Sequence, residues 1–140
     1  MNAGNVSPDS VERKAHTLTQ QTLDAIRPAI GAAAHTGADR GRWEACTTET
    51  PGQHRFQYTY TVDVAVSESA SAAVMTAARA HFTTMGYLLD PSDGSGRRAG
   101  ATLPKSTWTV RLGVKDSATT VIETGSDCVF TTHDPHTGAD

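Results

Sequence analysis

From Arg55 to Val66 apolar and polar side chains alternate without a break, with Phe56, Tyr58, Tyr60, Val62, Val64 and Val66 on one parity and Arg55, Gln57, Thr59, Thr61, Asp63 and Ala65 on the other. A two-residue period of that length describes a strand with one side on a core and the other on water or small neighbours. A helix is excluded by the period. The chain must therefore build a sheet and then find something to cover one side of it.

Two segments can supply that cover. Ser7-Pro8-Asp9-Ser10 is a helix-start signal, in which Ser7 or Ser10 caps exposed N–H groups and Pro8 suits the first turn. Val11, Ala15, Leu18, Thr22, Ala25 and Ala29, with Ile26 and Ile30 alongside, form an amphipathic stripe, while Glu12, Arg13, Lys14, Gln20 and Asp24 face water. Pro28 should bend or stop this helix, which ends near Ile30, and Gly31–Gly41 reads as a connection. The second helix, Ala70–Met85, follows the cap Ser67-Glu68-Ser69, aligns Val74, Ala78, Phe82 and Met85 on one face, and ends at Gly86.

Shorter strands fill the rest. Arg42–Thr48 alternates and leads through Pro51-Gly52 into the long strand as a hairpin. Tyr87-Leu88-Leu89 is a short strand, and the turn-former-rich Asp90–Gly100 reads as a mobile loop. Thr107–Val114 points Trp108, Val110, Leu112 and Val114 inward, and the turn Lys115–Ala118 returns the chain through Thr119–Val129. The order α-β-β-α-β-β-β predicts a single α+β domain, an antiparallel sheet of about five strands with two helices packed on one face. Residues 7–130 form this domain, between a disordered N-terminus at 1–6 and a flexible tail at 131–140.

The covering has little to work with. The 140 residues, 14.8 kDa, leave room for one core, and only 37% are hydrophobic and 6% aromatic, against 20 Ala and 21 Thr. Cys46 and Cys128 are the only cysteines and lie 82 residues apart, which rules out a CxxC motif. They read as a disulfide tying the first strand to the last, worth roughly 4.5 kcal/mol in the chain-entropy treatment, with two buried free thiols as the alternative. A disulfide implies an oxidising, extracytoplasmic compartment. The net charge of −3 argues against a nucleic-acid binder, no apolar run is long enough to span a membrane, and Met1–Asn5 has neither region of a signal peptide.

The search for chemistry ends largely in subtraction. The chain has no G-x-S-x-G, S-x-x-K or H-E-x-x-H motif. His133, Asp134, His136 and Asp140 lie in a tail that would hold no metal rigidly, so neither a metal site nor a cofactor is expected. Gly94-Ser95-Gly96-Arg97-Arg98 departs from both phosphate-binding glycine patterns and reads as flexible loop, and Asp63 and Glu123 read as solvated strand residues rather than a catalytic pair. Trp43 and Trp108 read as core aromatics or a recognition surface. The outward parity of the long strand is polar and flat, which suits solvent or a protein partner.

Trp43-x-x-Cys46, the aromatic run Phe56–Tyr60, the Ala-rich helix ending Met85-Gly86-Tyr87, Ser126-Asp127-Cys128-Val129 and nine Arg to three Lys together resemble small exported proteins and lipoproteins of high-GC actinobacteria. The resemblance covers roughly residues 8–130. It implies a signal peptide or lipobox cysteine, which this sequence does not display, and for some such proteins a role as immunity or accessory binding factor for secreted toxins. The expected function is a non-enzymatic, extracytoplasmic module that binds another protein, possible contacts being Trp43, Arg55, Gln57, Thr59, Thr61, Asp93, Arg97 and Arg98 on the sheet face and the loop 90–106. The alternatives are a carrier of a small ligand or envelope component with its pocket between helices and sheet, and a small hydrolase pairing His54 or His81 with a carboxylate.

Overall fold

The computed structural model describes residues 5–31, 36–46, 55–92, 94–132 and 135. Its elements are β1 (Asn5–Val6), α1 (Pro8–Ile30), β2 (Thr36–Ala45), β3 (Arg55–Ala65), α2 (Ser71–Thr84), β4 (Leu88–Leu89), β5 (Arg98–Thr102), β6 (Thr109–Asp116), β7 (Thr119–Gly125) and β8 (Val129–Thr131), with a 3-10 turn at Glu68–Ala70. The predicted α+β class holds, with two helices on one face of a sheet that is antiparallel except at β1.

α1 begins at its sequence signal, where Ser7 Oγ accepts the N–H of Ser10 at 3.2 Å and Pro8 fills the first position. Val11, Ala15, Leu18, Thr22 and Ile26 form its buried stripe. Pro28 falls in the last turn, where a missing N–H removes only one bond, so the helix continues to Ile30 and ends at Gly31 with φ at 103°. In α2, Val74, Ala78 and Phe82 are buried as expected, but Met85 falls just past the helix and is 41% exposed. Gly86 turns the chain away with φ at 77°.

The sheet runs β4-β5-β6-β7-β3, with β2 on the outer side of β3. β8 pairs with Arg55 and Phe56 along the edge of β3 that β7 occupies, so β7 and β8 are one line broken by Ser126, Asp127 and Cys128, three residues facing Gln57 and Tyr58. Ser126 holds this bulge from inside the protein, its Oγ accepting the N–H of Tyr58 at 2.8 Å and donating to the carbonyl of Asp127 at 2.7 Å. Val62, Val64, Val110, Leu112 and Ile122 from the sheet meet Ile26, Val74, Met75 and Phe82 from the helices in one core.

Four expectations change. Asp90–Gly100 is not a loop throughout: it gives way to β5, because Ala99, Gly100 and Ala101 are small enough to lie buried, Ala101 completely, where α2 packs on that strand. Gly100 is tight on its other side too, since a Cβ there would meet the Asp90 carboxylate and come within 2.9 Å of Arg111 Cγ. The first strand begins at 36 rather than 42, inside the segment read as a connection, and runs to Ala45, while Thr47 and Thr48 of the expected strand lie outside the described residues. Among the described residues β2 pairs with β3 alone, an edge position that tolerates its glycines, and a Cβ at Gly41 would overlap the Tyr58 hydroxyl. The run 119–129 is broken by the bulge. Finally, Asn5 and Val6 pair in parallel with Phe130 and Thr131, so the last two residues of the segment assigned to a disordered N-terminus and the first tail residue, Thr131, belong to the sheet, residues 1–4 lying outside the described residues. The turn Pro51-Gly52 and the tail histidines lie outside the described residues.

Candidate functional site

Because both helices lie on one side, among the described residues the other side of the sheet carries only its own side chains. On β3 the odd parity, Arg55 to Asp63, points there, and the register sets Arg42 of β2 beside Thr59, Arg40 beside Thr61, Glu123 of β7 on the other side of Thr61, and Arg111 of β6 beyond it. Arg40, Arg42, Thr59, Thr61, Val121 and Glu123 line a cleft of about 380 Å³ on this open face. Asp63 lies between two cations, 3.6 Å from Arg40 and 3.2 Å from Lys115, and Arg111 Nε reaches Asp90 at 3.2 Å. Glu123 and Arg111 are exposed. Both signs of charge are interspersed, so the face has no dominant field.

At the end of the face nearest the disulfide, the Arg55 guanidinium lies 5.3 Å from the ring centre of Phe130, its cross-strand neighbour. The buried Nε of Arg55 has no hydrogen-bond partner, and Phe130 is 39% exposed. Gln57 is exposed and donates to the Ser126 carbonyl at 3.1 Å. The structure thus brings Arg55, Gln57, Thr59 and Thr61 together in one row, as their parity requires.

The other expected contacts lie elsewhere. Trp43 is buried on the helix side, opposite Tyr58 with ring centres 5.0 Å apart, and its indole N–H donates to Glu12 at 3.0 Å. It is a core residue and not a surface one. Arg98 is exposed on β5 and Arg97 immediately precedes that strand, while Asp93 and His54 lie outside the described residues. His81 packs on Phe82 with ring centres 5.7 Å apart, and burial lowers its pKa. The structure joins Cys46 and Cys128 in a disulfide with Cα atoms 6.3 Å apart, linking the end of β2 to the bulge before β8.

A second cleft, of about 250 Å³, opens between α1 and the β2–β3 pair beside His16, Asp39 and Tyr60. Tyr60 donates to Asp39 at 2.7 Å and packs against His16 with ring centres 4.1 Å apart and planes tilted by 47°. Burial, reinforced by that hydrogen bond and by the carboxylate charge, pushes the Tyr60 phenol up to about 12, and burial with the charges of Glu12 and Asp39 does the same to Tyr58. Sequence reasoning missed this group. His16 lies on the wet face of α1, and Asp39 comes from the stretch read as a connection, so only the β2–β3 register brings them to one place.

Among the described residues, no three His, Cys, Asp or Glu side chains converge as metal ligands, and no helix is long and apolar enough to cross a membrane. Comparison of the chain with protein-family models, with curated proteins and with solved structures finds no match in any of the three.

Proposed function

We propose that this protein is a non-enzymatic recognition module that works in an oxidising, extracytoplasmic compartment and binds another folded protein through the open face of its sheet, as an immunity or accessory factor for a secreted toxin or hydrolase would. The observation that carries the reading is the face left uncovered by the described residues: a cleft edged by guanidinium and carboxylate groups at one place and, at another, the exposed Phe130 against a half-buried Arg55. Interspersed charges specify a partner by complementarity, and aromatic and arginine side chains are the usual anchors of such interfaces. The disulfide supports the compartment.

The test uses the oxidised protein as bait against envelope and secreted fractions, alongside Arg111→Glu and Thr59→Arg variants shown to be folded by circular dichroism. One enriched protein that is lost with both variants supports the reading. A partner held equally by wild type and variants places recognition elsewhere, and no enrichment over a denatured control rejects the reading. A second reading, a carrier of a small polar ligand, is favoured by the His16–Tyr60–Asp39 cleft and would appear as a ligand-dependent rise in melting temperature that Tyr60→Phe abolishes.

A further inference from the structure

The two outer edges of the sheet are finished differently. At the β4 edge pairing stops after two residues, and the carbonyls beyond are taken: Gly100 accepts the N–H of Asp90 at 2.9 Å, and Arg98 accepts the Arg79 guanidinium, reaching across from α2, at 2.5 Å. Short edge strands and capped carbonyls are how a sheet prevents another strand from joining. The opposite edge, β2, is ten residues long and exposed almost throughout.

Its outward groups follow from the register. Cys46 donates to the Arg55 carbonyl at 3.0 Å, which makes 46 and 55 a hydrogen-bonded pair. After the register shift between Thr36 and Asp39, the even residues Arg40, Arg42 and Glu44 therefore spend their backbone groups on β3, and Asp39, Gly41 and Ala45 direct theirs outward, where no described strand receives them. α1 packs on β3 and β7, so β2 lies beyond the main span of the helix layer.

We infer that β2 is an assembly edge and that its occupant is a second copy of this chain, joined antiparallel about a two-fold axis beside Trp43. The charge pattern selects that occupant. Arg42 and Glu44 lie two residues apart on the open face, more than half exposed, and among the described residues they form an ion pair with each other at 2.9 Å. In the register that sets Gly41 opposite Ala45 of the second copy, four backbone hydrogen bonds form through those two residues and their copies. Each Arg42 then faces a Glu44 across the junction, as a non-hydrogen-bonded pair with close side chains. A strand with this charge order discourages uncharged strands yet complements itself. The junction would merge two open faces into one broader surface, but it needs nothing from the face's own partner.

Sedimentation equilibrium of the oxidised wild-type protein across a concentration series is the test. The expected result is a reversible monomer–dimer equilibrium. Arg42→Glu and Glu44→Arg, each placing like charges opposite one another at both symmetry-related pairs, weaken it by about tenfold or more, and the combined R42E/E44R chain, in which the charges are exchanged, returns to within about threefold of wild type. Ala45→Pro removes an outward N–H without touching the ladder to β3 and should abolish the dimer while the far-ultraviolet circular dichroism is preserved. A wild type that stays monomeric at its highest soluble concentration overturns the inference. So does a dimer that the two single charge reversals leave unchanged, or one the combined chain fails to restore.

Discussion

Thr19 on α1 and Thr124 on β7 meet inside the core with their hydroxyl oxygens 2.6 Å apart, and Thr19 also donates to the Ala15 carbonyl at 2.8 Å. That second bond fixes the direction of the first: Thr19 has spent its only hydrogen, so Thr124 donates to Thr19. The two valine substitutions are therefore unequal. Thr124→Val leaves Thr19 bonded to Ala15 and loses one bond, about 1 kcal/mol, whereas Thr19→Val strands the hydroxyl of Thr124, which is fully buried, at about 1–3 kcal/mol. With both residues valine no polar group is left unpaired and the volume is kept, so the double variant should lie close to wild type, with a coupling of about 2–4 kcal/mol between the sites. Urea unfolding of the four proteins, with the disulfide intact, measures this from the midpoints at constant slope. Additive single effects, or Thr124→Val costing more than Thr19→Val, would refute the assigned donor and with it the seating of α1 on β7.

Three further outcomes follow from the same packing. Phe82→Ala empties a fully buried site between α2 and the sheet and should cost about 3–5 kcal/mol in the same unfolding assay. Reducing the disulfide, or replacing both cysteines by serine, should lower stability by up to roughly 4.5 kcal/mol for a closed loop of 82 residues, read as the shift in urea midpoint on adding reductant. The Tyr60 phenol titrates at about 12 against an ordinary 10.0, so the stability it lends is complete below pH 10 and is lost as pH rises through 12. Asp39→Asn removes the opposing charge and should move the midpoint back toward 10, followed as the Tyr60-dependent difference in phenolate absorbance between wild type and Tyr60→Phe.

What the sequence revealed and what it hid divide along a physical line. β3 was legible because alternation needs only its own side chains, and the same parity carried Arg55, Gln57, Thr59 and Thr61 to the open face. α1 was legible at both ends because capping at Ser7 and the turn at Gly31 are local chemistry. β5 was not: Ala99, Gly100 and Ala101 have no β-forming side chains, and they form a strand because α2 and the Asp90 carboxylate leave space only for small residues. The pairing of β1 with β8 joins residues 125 positions apart and leaves no trace in either segment. Trp43 was ambiguous for the same reason, since its direction is set by Tyr58 across the ladder and not by its neighbours in the chain.

The open face and the thin core are consequences of one composition. A chain with few large apolar residues can bury one side of a sheet well, and here nearly all of them go beneath α1 and α2. The remaining side is then held by devices that work in water: the bracketing of Asp63 by Arg40 and Lys115, the Asp90–Arg111 pair, and threonines on β-strands. Asp63 is largely shielded, its side chain 17% exposed, but Arg40, Lys115 and Arg111 are each more than half exposed, and pairs with such hydrated partners add little stability each. Those outer cations can exchange partners at small cost, which is what the proposed interface requires. The disulfide sits where the helices give least cover, at the end of β2 and the bulge before β8, and so fixes the part of the open face that displays Arg55 and Phe130. If the open face binds a partner as proposed, reduction should weaken binding at that end before it unfolds the helix-covered core, and a partner that binds through Arg55 and Phe130 would report the difference as lost affinity at a urea concentration where the circular dichroism is still native.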